Sequence, residues 1–239
     1  MAAGLEPPRR VFAHGWWTNE GQKISKSVGN VIDPHELIAR YGLDATRYFL
    51  LREVPFGNDG DFSHLAMLRR MNSDLANDYG NLCQRVLSMI AKNCGAAVPR
   101  PGPLQPADRA LLDQAAGLLD TCRGLMERQA GHAALEAIWA VIAEANRYVD
   151  TQAPWALRKS DPERMATVLW VLAETIRRLA ILTQPFMPDA SARILDQLAQ
   201  PLELRSFAAL DDKGALVAGT ALPKPEGVFP RLVEDAAGA

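Results

Sequence analysis

Lysine and serine side chains are concentrated in a short segment near the start of the chain, with a glycine towards each end. Lys23, Ser25, Lys26 and Ser27 all lie within residues 21–30, which we call the lysine loop. Two ammonium groups can offset the negative charge of nucleotide phosphates, and two hydroxyls can donate hydrogen bonds or hold the loop in shape. This composition suits a phosphate-binding loop, although a short run of Lys, Ser and Gly is also typical of a solvated turn.

A second set of side chains could bind nucleic-acid bases. Asn81 and Arg85 lie four residues apart in a segment whose apolar residues recur at helical spacings, so they share one helix face. An amide and a guanidinium fork together offer donors and an acceptor for base edges. Trp155 directly follows a proline at a predicted helix end, where its ring could stack on a base. The structural alternative is a solvent-facing Asn and Arg with a Trp packed at a helix end.

The elements that must position these side chains are mainly helices. The β-branched and aromatic run Val11–Thr18 predicts one strand leading into the lysine loop. Asp33, Pro34 and Glu36 have the spacing of a capping box, and we expect Asp44 to cap a second helix. The proline-rich residues 99–106 predict an extended connector. The spacing of apolar residues, together with prolines at helix starts and just after helix ends, predicts further helices. These cover residues 63–93, 107–128, 132–151 and 162–183, and one more begins at Pro188. In the tail, we expect residues 216–219 and 227–230 to form short strands or extended contacts.

Composition restricts the class of protein. The chain has 239 residues, of which 48% are hydrophobic and 23% charged, enough to form one large or two small globular domains. A net charge of -2 argues against nonspecific DNA packaging, so any nucleic-acid contact must depend on local basic residues. Three widely spaced cysteines suit a reducing compartment better than a disulfide framework. With no apolar run of about 20 residues and no signal-peptide pattern, we expect a cytoplasmic protein.

The lysine loop and the residues after it resemble the second signature region of class I aminoacyl-tRNA synthetases. The resemblance rests on Lys-Ile-Ser-Lys-Ser, on the following Val-Gly-Asn-Val-Ile-Asp-Pro, and on Tyr41–Tyr48. The family usually has Lys-Met-Ser-Lys-Ser, from which Ile24 departs. The resemblance implies that the loop closes over ATP during amino-acid activation, with Mg²⁺ accompanying the ATP. It further implies that Lys26 binds ATP, and the residues with an implied catalytic role are Lys23, Ser25, Lys26 and Ser27.

Two further segments resemble methionyl-tRNA synthetases in particular. Residues 56–63 are similar to the link between the catalytic body and the helical domain of that family, and residues 146–155 are similar to its anticodon-reading segment. The resemblance implies that Trp155 stacks on an anticodon base of tRNA(Met) and that Asn81 and Arg85 read the CAU anticodon. It also implies methionine and ATP as substrates of the parent enzyme, with no zinc site in this chain.

The resemblance also implies a domain organisation. We expect a mainly α fold, in which an anticodon-binding helix bundle (61–200) follows a short α/β remnant of the class I Rossmann catalytic domain (1–60) and precedes a tail that folds back (201–239). The chain has no His-Ile-Gly-His type motif, so we expect that alone it does not form methionyl adenylate. Two alternatives remain: a class I synthetase for isoleucine, valine, leucine or cysteine, and a stand-alone, non-enzymatic tRNA-binding module.

Overall fold

The fold is mainly helical, with one small sheet near its start. The computed structural model describes residue 4 and residues 6–232. No helix in these residues is both long and apolar enough to cross a membrane. In chain order the elements are β1 (Trp17–Asn19), β2 (Gln22–Lys23), α1 (Pro34–Tyr41), α2 (Leu43–Arg52), β3 (Gly60–Phe62), α3 (His64–Arg70), a π-helical segment (Met71–Gly80), α4 (Asn81–Asn93), α5 (Pro106–Met126), α6 (Gly131–Gln152), α7 (Pro154–Ser160), α8 (Pro162–Thr183) and α9 (Pro188–Gln197).

The sheet has the strand order β2-β1-β3, and it carries the lysine loop at one edge. β1 pairs antiparallel with β2 and parallel with β3. The prediction of a strand over Val11–Thr18 is wrong except at its end, because the hydrogen bonds to the third strand begin only where Gly60 N donates to the carbonyl of Trp16 at 2.8 Å. Val11 is 83% exposed, so the residues before β1 have no packed surface to hold them extended. β3 begins at Gly60 and therefore spans the predicted domain limit between residues 60 and 61, a limit that stays a prediction.

Local capping signals explain where the helices of the first part begin. The Asp33 carboxylate accepts a hydrogen bond from His35 N at 2.8 Å, and Pro34 occupies the first helical position of α1, as predicted. The expectation that Asp44 caps α2 is wrong. α2 already begins at Leu43, and the Asp44 carboxylate accepts instead from Ala190 N, in the first turn of α9. Asp44 thus caps a helix that is distant in sequence.

The predicted helix over residues 63–93 is continuous but changes its winding. Ser63 caps it, and after one stretch of α-helix the π-helical segment widens the turns before α4 resumes. Side chains of α6 bind backbone carbonyls within this segment: Trp139 Nε1 donates to Asp74 O and Asn146 Nδ2 donates to Asp78 O, both at 3.3 Å. The widened segment is therefore attached along α6 immediately before α4 begins.

α5, α6 and α8 form the bundle, and their predicted positions are confirmed. α8 spans residues 162–183, as the sequence predicts, with the Asp161 carboxylate accepting from Arg164 N at 2.9 Å. It is buried on nearly all sides, which makes it the central helix of the domain. α7 was not predicted. Large side chains in the core include Tyr48, Tyr79, Leu82, Ile90, Leu111, Leu135, Ile138, Ile142, Val168, Leu172 and Ile176.

The tail after α9 is held on the bundle by irregular structure rather than by the suggested strands. Short 3₁₀ turns occur between residues 202 and 214, and residues 216–219 and 227–230 form no strand. The buried Arg177 guanidinium donates to Glu174 at 2.6 Å and to the carbonyl of Ala209, also at 2.6 Å. Further on, Asn72 and Leu232 exchange two hydrogen bonds, so the tail crosses the π-helical segment.

Candidate functional site

Asn30 closes the lysine loop with its side chain. Its Oδ1 accepts from Ser25 N at 2.8 Å, and its Nδ2 donates to the carbonyl of Lys23 at 3.1 Å. The Asn30 carbonyl in turn accepts from Asn19 Nδ2 at 2.9 Å, which connects the loop to β1. The Asn30 side-chain amide thus bonds the backbone as a neighbouring strand would, by both donating and accepting. It holds the backbone at Lys23 and at Ser25, on the two sides of Ile24.

The tip of the loop is a turn that leaves its cations in solvent. The carbonyl of Ser25 accepts from Val28 N and Gly29 N at 3.2 and 3.1 Å, and the hydroxyls of Ser25 and Ser27 lie 2.7 Å apart. Gly29 has a φ of 77°, which favours glycine at this position. Lys23 and Lys26 are exposed, and every ion pair in the described part of the chain is formed by an arginine. Both ammonium groups are therefore available to an anion.

An open groove adjoins the root of the loop. It has a volume of about 620 Å³ and is lined by Trp16, Trp17, Thr18, Lys23 and Ile24. Trp16 is 81% exposed, which is unusual for so large an apolar side chain. The groove thus combines an aromatic surface with one ammonium group, a combination that suits a nucleotide.

Three helices bring Arg85 and Trp155 together at another surface. The guanidinium carbon of Arg85 lies 5.8 Å from the centre of the Trp155 ring, within the range of a cation–π contact. Arg85 also donates from Nη2 to the Asp150 carboxylate at 2.7 Å. Asp150 lies on α6, so it fixes the direction of an arginine that α4 carries. We call Asn81, Arg85, Asp150 and Trp155 the α4–α7 surface.

The polar and aromatic groups of this surface remain accessible. Trp155 is 53% exposed and the Arg85 side chain is 31% exposed. Asn81 is exposed at the first position of α4. The solvent-facing interpretation of Asn81 therefore agrees with the structure, whereas Trp155 is not packed into the core. The exposed Trp155 ring can stack on a base. The oriented guanidinium of Arg85 beside it can donate two hydrogen bonds to a base edge.

A buried ionic network lies beneath α7. The Asp108 carboxylate is fully buried and accepts from Arg164 Nη1 and Nη2 at 2.5 and 2.7 Å and from Tyr148 OH at 2.6 Å. It also accepts from Gln105 N at 2.8 Å, where it completes the cap of α5. Burial alone would raise the pKa of Asp108, but the hydrogen bonds from Arg164, Tyr148 and Gln105 outweigh burial and hold that pKa below its usual value.

The candidate residues therefore fall into two groups. The lysine loop brings Lys23, Ser25, Lys26 and Ser27 together, and the α4–α7 surface brings Arg85 and Trp155 together with Asn81 one helical turn away from Arg85 on α4. Sequence reasoning did not assign Asn30 and Asp150. Both stand inside the segments that carry the family resemblance, but an Asn in a loop and an Asp near a helix end are ordinary residues until their partners are known. No group of His, Cys, Asp or Glu between residues 6 and 232 is arranged to hold a metal ion.

Comparison with known proteins gives consistent matches for both groups. Residues 1–87 match the family model described as tRNA synthetases class I (M), and residues 98–238 match the anticodon binding domain of methionyl tRNA ligase. The methionine–tRNA ligase of Mesorhizobium japonicum is 60% identical over 98% of this chain and 45% of its own length. That of Mycobacterium leprae is 52% identical over 97% of this chain and 43% of its own length. The chain thus spans about half the length of these curated relatives.

Solved structures agree with this fold. Methionyl-tRNA synthetase of Mycobacterium tuberculosis in complex with methionyl-adenylate superposes with a TM-score of 0.91 at 53% identity, over 96% of this chain and 46% of that chain. The apo form of the same enzyme gives a TM-score of 0.89 at 49% identity, over 98% of this chain and 46% of that chain. The similarity covers the sheet, the lysine loop and the helix bundle alike, since nearly the whole chain is aligned.

Proposed function

This chain belongs to the methionyl-tRNA synthetase family of class I enzymes, and we propose that it supplies the lysine loop and the anticodon-reading bundle of a methionine–tRNA ligase. The parent reaction is the ATP-dependent attachment of methionine to tRNA(Met). The observation that carries the proposal is the pairing of an exposed Trp155 with an Arg85 that Asp150 orients. The relatives described above are methionine–tRNA ligases at 52–60% identity, which disfavours another class I synthetase and a stand-alone tRNA-binding module.

In this proposal the α4–α7 surface reads the CAU anticodon. The Trp155 ring stacks on one unpaired base, a contact that is worth about 1–3 kcal/mol by alanine substitution. The Arg85 fork and the Asn81 amide donate to and accept from base edges, and each well-placed pair contributes roughly 1–3 kcal/mol of discrimination. Because Asp150 already holds one Nη of Arg85, the guanidinium loses little conformational freedom when the RNA binds.

The lysine loop acts on ATP in the parent enzyme. Lys26 and Lys23 stabilise the negative charge that develops as pyrophosphate leaves, and Ser25 and Ser27 donate hydrogen bonds or maintain the turn. The absence of internal ion pairs at both lysines supports this role within residues 6–232. Ammonium and hydroxyl groups suit phosphates rather than a divalent cation, so we propose that Mg²⁺ is held mainly by the phosphate oxygens of ATP.

We propose the domain limits 1–60, 61–200 and 201–239, with the tail returning towards the catalytic side, and a cytoplasmic location. The contact of Leu232 with Asn72 supports the return of the tail, since Asn72 belongs to the helix that follows β3.

Anticodon stem-loop binding by the 239-residue chain tests the central claim. Fluorescence anisotropy compares a labelled stem-loop with the anticodon CAU against stem-loops in which one anticodon base is replaced. We expect each replacement to weaken binding by about tenfold or more, as for the loss of one bidentate base contact. Equal affinities for all the stem-loops would refute anticodon reading by this surface.

A further inference from the structure

α7 is a short helix with little packing of its own. Of its seven residues only Pro154 is buried, and Leu157 is half-buried against the core. A single residue, Ala153, separates it from α6 and has a left-handed conformation with a φ of 44°. Asp161 follows its last residue and caps α8. Because so few apolar side chains of α7 are buried, the connections at its two ends also contribute to its orientation.

One arginine connects these two ends. Arg164 lies in the first turn of α8, just after α7, and its Nη2 donates to Gln152 Oε1 at 2.7 Å. Gln152 is the last residue of α6, just before α7. The same guanidinium is held by the buried Asp108, which in turn belongs to the first turn of α5. The segment that carries Trp155 is therefore closed at its base by a charged hydrogen bond.

We propose that Gln152 and Arg164 are positioning residues for anticodon recognition, which hold the ends of α7 together and thereby orient Trp155 beside Arg85. The inference rests on the proposed function, since it assigns a purpose to the orientation of Trp155. In this role neither residue needs to touch the RNA. Their effect passes through the backbone of α7, because Trp155 is its second residue and lies only three positions after Gln152.

Gln152→Ala tests this role with little disturbance of the core, because the Asp108–Arg164 pair remains. Hydrogen exchange of the α7 amides and the ratio of affinities for CAU and altered stem-loops are measured on the same protein. The loss of one hydrogen bond to a charged group should raise α7 exchange by about tenfold and reduce CAU discrimination by a similar factor. Gln152→Glu keeps the acceptor and should retain both values.

Gln197→Ala is the matched control. Gln197 also accepts one hydrogen bond that joins two segments, from Glu226 N at 2.8 Å, but it lies on α9. This variant should leave α7 exchange and CAU discrimination unchanged. Unchanged α7 exchange in Gln152→Ala would overturn the proposal. If the α7 amides of Gln152→Ala exchange faster but the variant keeps its full discrimination for CAU, the positioning role would be overturned and the proposed function would stay intact. A starting protein without any CAU preference would instead refute the proposed function, and the positioning role with it.

Discussion

Replacement of Trp155 by alanine should weaken anticodon binding without unfolding the protein. The ring is 53% exposed, and the guanidinium carbon of Arg85 lies 5.8 Å from its centre. The folded chain therefore loses little when the ring is removed, and we expect a change in unfolding free energy of about 1 kcal/mol or less. The RNA complex loses a stacking surface worth about 1–3 kcal/mol, which corresponds to a roughly 5- to 150-fold increase in Kd.

Anisotropy titration of the CAU stem-loop measures this change, and thermal unfolding followed by circular dichroism measures the stability. Trp16→Ala is the matched control, because Trp16 is 81% exposed but lies beside the lysine loop. Trp155→Phe retains an aromatic face and should lose less affinity than Trp155→Ala. Unaltered CAU binding by Trp155→Ala, or an equal loss in Trp16→Ala, would refute base stacking at Trp155.

Asp108→Asn removes the buried charge that pairs with Arg164 and should lower the unfolding free energy in urea by about 3–5 kcal/mol, whereas an unchanged midpoint would contradict the importance of the network. Because the folded-state pKa of Asp108 is lowered, its contribution to stability should be complete above the unfolded value of about 3.9 and decrease as the pH falls through the folded pKa. Urea titrations across this acid range should show a shallower loss for Asp108→Asn. Asn30→Ala removes two hydrogen bonds from the lysine loop and should speed exchange of the Ser25 amide by about tenfold or more, whereas an unchanged exchange rate would contradict the role of Asn30 in closing the loop. The 239-residue chain alone should give no methionine-dependent ATP–pyrophosphate exchange, and substantial turnover would show that it needs no His-Ile-Gly-His type motif.

Helix positions were largely predictable because their signals are local. Asp161 and Pro162 define the start of α8, and Pro188 defines the start of α9, because a cap and a proline act within one turn of the chain. The same is true of Asp33 at the start of α1. These residues would begin a helix at the same position in many different folds. Their types and order are therefore sufficient to predict where these helices begin.

The errors arise where a partner from another part of the chain decides the structure. Asp44 has the right type for a cap but binds the first turn of α9, which only the packed fold brings near. The predicted strand over Val11–Thr18 forms only where β3 provides hydrogen bonds. The π-helical segment is likewise joined to α6 through Trp139 and Asn146, which apolar periodicity alone cannot reveal.

The family, the types of the candidate residues and most of the helices could be inferred from the order of residues. Motif composition, capping residues and apolar periodicity act over short distances along the chain, so they can be recognised without the fold. The contacts of Arg85 with Trp155 and Asp150 could be found only in the packed fold. The same holds for the hydrogen bond from Arg164 to Gln152. These contacts join residues of different helices. Their geometry depends on how the bundle packs, and a linear order of residues does not contain it.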